Sequence, residues 1–204
     1  MIEIGFIRHG ITEWNLQGRM QGQTDIPLAP LGREQAALLA VRFRTEDWDG
    51  ILSSDLIRAR ETAEIVAAAS GIRFLGTDQR LRERYFGELE GTTLPERVAR
   101  WGENWRQMDL GREPVESLLS RWDSFLEDLV RVHKGRRLLI VSHGGFIEPV
   151  LANRCHTVVE GHLANTSLTV VLSEPGGWRC TLLNCTKHLD TPKCGRLDTW
   201  SAKY

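Results

Sequence analysis

The chain is 204 residues long, 41% hydrophobic and 26% charged, with a net charge of −1 at pH 7. That length suits one domain with a full core, and the balanced charge lacks the basic field that nucleic-acid binders carry. No apolar run approaches the roughly 18 residues of a membrane span, and the N-terminus lacks a signal peptide's basic region, so a cytoplasmic protein is expected. Of the 26 basic residues 22 are Arg, so only individually placed arginines carry information. Cys155, Cys180, Cys185 and Cys194 match no zinc spacing and read as free thiols.

An apolar run, Ile2 to Ile7, reads as a buried strand ending in Arg8-His9-Gly10. A helical turn follows over Thr12 to Gln17, then a polar, glycine-rich loop from Gly18 to Pro30 carrying Arg19, Gln21, Gly22 and Asp25. Such a loop suits the rim of a pocket. Leu31 to Arg44 has the apolar spacing of a helix, and Gly50 to Ser53 that of a short strand. Ser54 or Asp55 can cap the next helix, whose buried stripe is Leu56, Ala59, Ala63 and Val66 and whose end is Gly71. This places Arg58 in a first turn, where free amides and the helix dipole favour an anion, while Arg60 points to the surface.

Ile72 to Leu75 reads as a further strand. Leu81 to Gly91 mixes Arg82, Glu83 and Arg84 with aromatics and glycines, the composition of a functional loop. Residues 92–113 read as a small lid insertion, a short helix plus turn with Trp101 and Trp105. Pro114 opens a long helix with Leu118, Leu119, Trp122, Phe125 and Leu129 on its apolar stripe, ended by Gly135. Leu138 to Val141 is the clearest strand and runs into Ser142-His143-Gly144-Gly145, after which Pro149 requires a helix starting near Gly145. Leu168 to Leu172 and Trp178 to Leu183 form a hairpin, and residues 187–204 a peripheral tail. The pattern specifies an α/β three-layer sandwich: a mostly parallel sheet with one antiparallel strand and helices on both faces, in one domain over residues 1–204.

Two strands thus deliver His-Gly to the same sheet edge, where ligands of open α/β sheets bind. A zinc pair is one reading of His9 and His143. Against it, Arg8 and Arg58 would repel a dication, whereas they suit a phosphate dianion. His9 can attack phosphorus if it is neutral and its Nδ1–H is held by a backbone carbonyl. The leaving oxygen needs a proton, for which Glu83 is the candidate, unless that carboxylate simply pairs with Arg82 or Arg84.

Arg8-His9-Gly10-x-Thr12-x-x-Asn15 resembles the signature of the histidine phosphatase superfamily, in the branch containing cofactor-dependent phosphoglycerate mutase. Further blocks resemble the same branch in the same order. They are Gln21-Gly22 with Asp25-x-Pro27-Leu28, Ser53-Ser54-Asp55-Leu56-x-Arg58-Ala59-x-x-Thr62-Ala63, Leu81-Arg82-Glu83 with Phe86-Gly87-x-x-Glu90-Gly91, Ser142-His143-Gly144-Gly145, and Asn165-Thr166-Ser167. The resemblance implies His9 as the phosphorylated nucleophile, Arg8, Arg58 and His143 as the phosphate pocket, and Glu83 as proton donor. It also implies Thr12, Asn15, Gln21, Gly22 and Gly144 as supporting phosphate or substrate contacts, with no metal and no cofactor.

Mutases of this branch carry a Lys soon after the Glu-Gly block and an arginine pair in a longer insertion. Here Gly91 is followed by Thr92-Thr93-Leu94-Pro95, and the helix-opening Gly-Glu-Ser reads Val115-Glu116-Ser117. A phosphatase of a small phosphorylated metabolite is therefore expected ahead of a 2,3-bisphosphoglycerate-dependent mutase, and well ahead of a non-catalytic phospho-ligand module. The lid is expected to set the substrate, with Trp101 and Trp105 either touching it or packing the lid down. The exposed closing hairpin leaves a homodimer open.

Overall fold

The computed structural model describes residues 1–190; Cys194 and the rest of the expected tail lie outside the described residues. Six strands form one sheet: β1 (Glu3–Arg8), β2 (Gly50–Ser53), β3 (Phe74–Thr77), β4 (Arg137–Ser142), β5 (Leu168–Glu174) and β6 (Gly177–Cys185). Their spatial order is β3-β2-β4-β1-β5-β6. β1 is parallel to β4, β4 to β2, and β2 to β3, while β5 runs antiparallel to both β1 and β6. β5 is thus the one reversed strand, as the hairpin at Glu174–Gly177 required.

Helices α1 (Glu13–Gln17), α2 (Pro30–Phe43), α3 (Ile57–Ser70), α4 (Leu94–Trp101), α5 (Val115–Val132) and α6 (Gly144–Arg154) connect them. Side chains alternate across β1 and β4, and both faces are apolar because both are covered. Ile4, Phe6, Leu138 and Ile140 pack with Leu118, Trp122 and Phe125 of α5 and Phe146 and Val150 of α6. Ile7, Leu139 and Val141 pack with Leu39 and Phe43 of α2 and Ala63 and Val66 of α3 on the other side. Met20, Leu89, Trp105 and Leu110 make a small third core beneath the 92–113 segment.

Several local expectations shift. α3 begins with Leu56 as its cap residue, and its first amide is capped by neither Ser54 nor Asp55: Ile57 N–H donates to Asp25 Oδ1 at 2.7 Å. The rim loop is thereby pinned to the helix that carries Arg58. β3 spans Phe74–Thr77, because Ile72 leaves the left-handed Gly71 (φ 83°) as an apolar anchor into the core and pairing with β2 starts only at Phe74. α5 stops at Val132, before Gly135. Pro149 sits in the second turn of α6, which starts at Gly144 and carries the proline inside it.

Candidate active site

β1 and β4 are adjacent and in register, Arg8 opposite Ser142, so the His that follows each strand arrives at one point. The His9 and His143 rings have centroids 5.2 Å apart. His9 N–H donates to the Ser142 carbonyl at 2.9 Å, and its Nδ1–H donates to the Gly10 carbonyl at 2.7 Å. A carbonyl only accepts, so the proton is on Nδ1 and the Nε2 lone pair is uncommitted. Burial and the charges of Arg58 and Arg8 hold this imidazole well below its ordinary pKa, and therefore neutral.

Arg58 is fully buried, its guanidinium held by the Gly22 carbonyl (2.7 Å) and the Thr24 carbonyl (3.0 Å). Burial lowers its pKa to about 10, opposed by Glu83 and Asp25, which leaves it a cation at neutral pH. Arg8 donates through Nη1 to the Leu163 carbonyl. Arg8 Nε, Arg58 Nε and both ring nitrogens of His143 are buried without hydrogen-bond partners among the described residues. Unsatisfied buried donors are rare, and two arginine N–H groups with the single N–H of a neutral His143 around the His9 imidazole call for an anionic ligand. His143 is itself held well below its usual pKa by burial and by Arg58, so it is neutral before any anion arrives.

Glu83 is 8% exposed and does not pair with either neighbouring arginine. Arg82 is bound to Asp55 (2.6 Å), and Arg84 donates Nε to the Glu113 carbonyl at 2.7 Å. Glu83 instead accepts from the amides of Arg84 (2.8 Å) and Gly145 (3.2 Å). Burial raises its pKa, and this outweighs the opposing pull of Arg58 and of the two amides. Gly145 lets the carboxylate come this close: a Cβ there would lie 2.8 Å from Glu83 Oε1 and 3.0 Å from the Phe86 ring.

Arg8, His9, Asn15, Gln21, Gly22, Glu83 and Gly144 line one cavity of about 490 Å³. Arg58 and His143 lie beneath its floor, both at 0% exposure. Thr12, expected as a ligand contact, does not line this cavity. It is fully buried, and its hydroxyl lies 2.8 Å from Gln21 Oε1 while capping the Asn15 amide at 3.2 Å. None of residues 92–113, expected as a lid, lines the cavity. Trp105 is 3% exposed and sits between Arg97 and Arg106, Trp101 stacks on Arg100, and neither faces the ligand space. The outer wall comes instead from Met20, Phe86 and Val115 together with α6 and the loop after it, up to His162. Among the described residues no group of three or more His, Cys, Asp or Glu side chains is placed to hold a metal ion.

The family model described as histidine phosphatase superfamily (branch 1) matches residues 4–186. The chain belongs to the histidine phosphatase superfamily. It is 34% identical over 201 residues to phosphoglycerate mutase-like protein 4 of Arabidopsis thaliana, covering 92% of this chain and 87% of that one. It is 34% identical over 215 residues to a Photorhabdus laumondii protein named "Probable phosphoglycerate mutase GpmB", covering 97% and 99%. Among solved structures it resembles a mycobacterial glucosyl-3-phosphoglycerate phosphatase complexed with VO3 (TM-score 0.81, 28% identity, 90% of this chain and 99% of that chain). It also resembles an Entamoeba histolytica phosphoserine phosphatase mutant in complex with phosphoserine (TM-score 0.77, 28% identity, 93% and 100%).

Of three supports of this superfamily member's site, Thr62 and Asn165 stand in the motif blocks without a role of their own, and Arg121 was not singled out in the sequence. Thr62, one turn after Arg58, accepts the Gly10 amide at 3.0 Å and donates to the Arg58 carbonyl at 2.7 Å. Asn165 donates to the His9 carbonyl at 2.9 Å, and Arg121, paired with Glu113, donates to the Glu83 carbonyl at 3.2 Å. Nothing in the local pattern around Arg121 separates it from the other arginines.

Proposed function

We propose that the protein is a phosphomonoesterase working through a phosphohistidine on His9, with a small phosphorylated metabolite as substrate. The observation that carries this is the fixed tautomer of His9 beside unpartnered arginine and imidazole donors, with a protonatable Glu83 across the same cavity. The phosphoryl group enters with its oxygens on Arg8, Arg58, His143 and the first amides of α6, as positioning and charge neutralisation require. The His9 Nε2 lone pair forms the N–P bond as the P–O bond to the alcohol breaks. Glu83 gives its proton to the departing oxygen, releasing a neutral alcohol and leaving a carboxylate. A water then occupies the alcohol's place, Glu83 takes its proton, the hydroxide oxygen bonds to phosphorus, and the N–P bond breaks. Free phosphate leaves, with His9 neutral and Glu83 protonated again.

Similar solved structures are phosphatases, one of them with phosphoserine bound, which supports hydrolysis. Relatives of 34% identity bear a mutase name, which supports a second reading, transfer between the 3- and 2-positions of phosphoglycerate primed by 2,3-bisphosphoglycerate. One experiment addresses both. The protein is mixed with p-nitrophenyl phosphate or 3-phosphoglycerate, quenched, and analysed by mass spectrometry for phosphohistidine while phosphate and 2-phosphoglycerate are followed. Phosphate release with label on His9, both lost in His9→Ala, is expected. Full turnover in His9→Ala refutes the mechanism, and isomerisation outpacing phosphate release selects the mutase.

A further inference from the structure

Most of the cavity is not phosphate site. A phosphoryl group fills a minor part of about 490 Å³, and the remainder has the size of an ordinary small-molecule pocket. Its outer wall is largely apolar, formed by Met20, Phe86, Val115, Ala152, Val158 and Val159. The charged side chains on that wall are few. Arg84 already donates to the Glu113 carbonyl and stands beside Arg112 and among the carboxylates of Glu113, Glu83 and Glu116. Opposite in sign is Glu148, one turn into α6, whose placement is specific. Leu163 N–H donates to Glu148 Oε1 at 3.1 Å, while the Leu163 carbonyl accepts from Arg8. His162 Nδ1 lies 3.7 Å from the same oxygen.

A Cβ on Gly144 would lie 3.4 Å from Arg8 Nε and 3.6 Å from Glu148 Oε1. The carboxylate is therefore no more than about 7 Å from the arginine of the phosphate cradle, and it lines the same cavity. No role in binding or cleaving the phosphoryl group falls to it in the scheme above.

We propose that Glu148 is a specificity-determining residue, which together with the apolar wall selects phosphomonoesters of uncharged, largely apolar alcohols and repels substrates bearing a second anion. This rests on the phosphomonoesterase reading of the same site. Glu148 disfavours a carboxylate or second phosphate by direct Coulomb repulsion in a partly desolvated pocket. The apolar wall offers such a group no compensating donor.

The test compares phenyl phosphate with 3-phosphoglycerate at pH 8 in the wild type, Glu148→Gln and Val158→Lys. Gln retains an oxygen for the Leu163 amide, and Val158 is 76% exposed, so a lysine is accommodated there. The wild type is expected to favour phenyl phosphate in kcat/KM by 100-fold or more. Each variant is expected to narrow that ratio by roughly tenfold, the Coulomb effect of one charge across the site after screening. The same pair of ligands is titrated calorimetrically against His9→Ala and the His9→Ala, Glu148→Gln double variant, where selectivity is read without turnover. If the wild type hydrolyses neither ester while His9→Ala still binds phenyl phosphate in preference to 3-phosphoglycerate, this proposal stands and the catalytic one falls. A wild type that prefers 3-phosphoglycerate, or a ratio unmoved in both variants, overturns the selectivity assignment.

Discussion

Glu90 touches no ligand position, yet its removal should weaken both the fold and the site. Its carboxylate accepts from Gln23 N–H (3.0 Å), Thr24 N–H (3.0 Å), Thr24 Oγ1 (2.7 Å) and Phe86 N–H (3.1 Å). These bonds shape the segment whose Gly22 and Thr24 carbonyls hold the Arg58 guanidinium. Gly22 is built for this contact: its φ is 55°, and a Cβ there would collide with the Glu90 side chain. In Glu90→Ala three amides and a hydroxyl lose a charged acceptor. At about 1 kcal/mol each, with water replacing part of the loss because Glu90 is only half-buried, the cost is about 2–4 kcal/mol. For a chain of this length that is a fall in Tm of about 5–12 °C. Arg58 would keep its burial but lose its fixed orientation, so kcat/KM should drop by tenfold or more, mainly through KM for the phosphate ester. Urea unfolding and steady-state kinetics on the same preparation check both numbers. A loss below 1 kcal/mol with unchanged KM would show that the loop around Gly22 holds its shape without Glu90, and that the chain of causation from Glu90 to Arg58 is wrong.

Other expectations follow from single features of the site. Gly145→Ala should push Glu83 from its position and lower kcat by about 10- to 100-fold, with the urea midpoint nearly unchanged; normal kcat would mean that Glu83 adapts freely. Catalysis needs His9 neutral and Glu83 protonated. The acid limb of the kcat/KM profile should therefore fall below the ordinary histidine range, and the alkaline limb should lie above the ordinary carboxylate range and vanish in Glu83→Gln. An acid limb at or above neutral pH contradicts this. Buried histidines also set a stability slope. His188, lowered to about 4 by burial, binds its proton in the unfolded chain first, so its contribution is complete above the unfolded pKa and is lost as pH falls toward 4. Chemical denaturation should show about 2 kcal/mol of its loss between pH 8 and pH 5, absent from His188→Gln. Leu118→Ala, at a fully buried position of α5, should cost about 3 kcal/mol in urea unfolding while leaving the activity of the folded fraction intact.

The parts of this molecule legible in the sequence are those decided within a few residues. The continuous apolar runs of β1 and β4 announce strands buried on both faces, and the residues that follow them must emerge at the sheet edge. Thr12 and Asn15 form a local capping box, so α1 could be read directly. The legible site residues are likewise those fixed by strand ends and a first helical turn: His9, His143 and Arg58. What escaped depends on segments meeting across the chain. Asp25 caps a helix 32 residues away, which no inspection of Ser54 and Asp55 reveals. The start of β3 depends on which residues β2 can pair with, not on where the apolar run begins. The expected lid turned inward onto its own small core because Trp105 and Leu110 found Met20 and Leu89, leaving the cavity wall to Val158 and Val159. His143 could be placed but not its charge, since neutrality follows from complete burial and the charges of Arg58, Arg121 and Arg8 and not from the motif.

The strand order has a consequence for how the protein comes into being. β1 leaves its synthesis first, yet its partners on either side are β4 and β5, so Glu3 must wait for Arg137 and Leu172. The hairpin of β5 and β6 is local, but this central seam closes loops of more than 130 residues. Such long-range pairing makes the formation of the β1 ladders a late and slow event. Until then a strand with the apolar centre Ile4 to Ile7 stands open on both edges, a segment prone to the wrong partner. The step that buries it is also the one that brings His9 against His143. Nascent chains truncated before β4 should therefore be the aggregating and chaperone-bound species, and the appearance of activity in refolding should coincide with the slowest phase of burial.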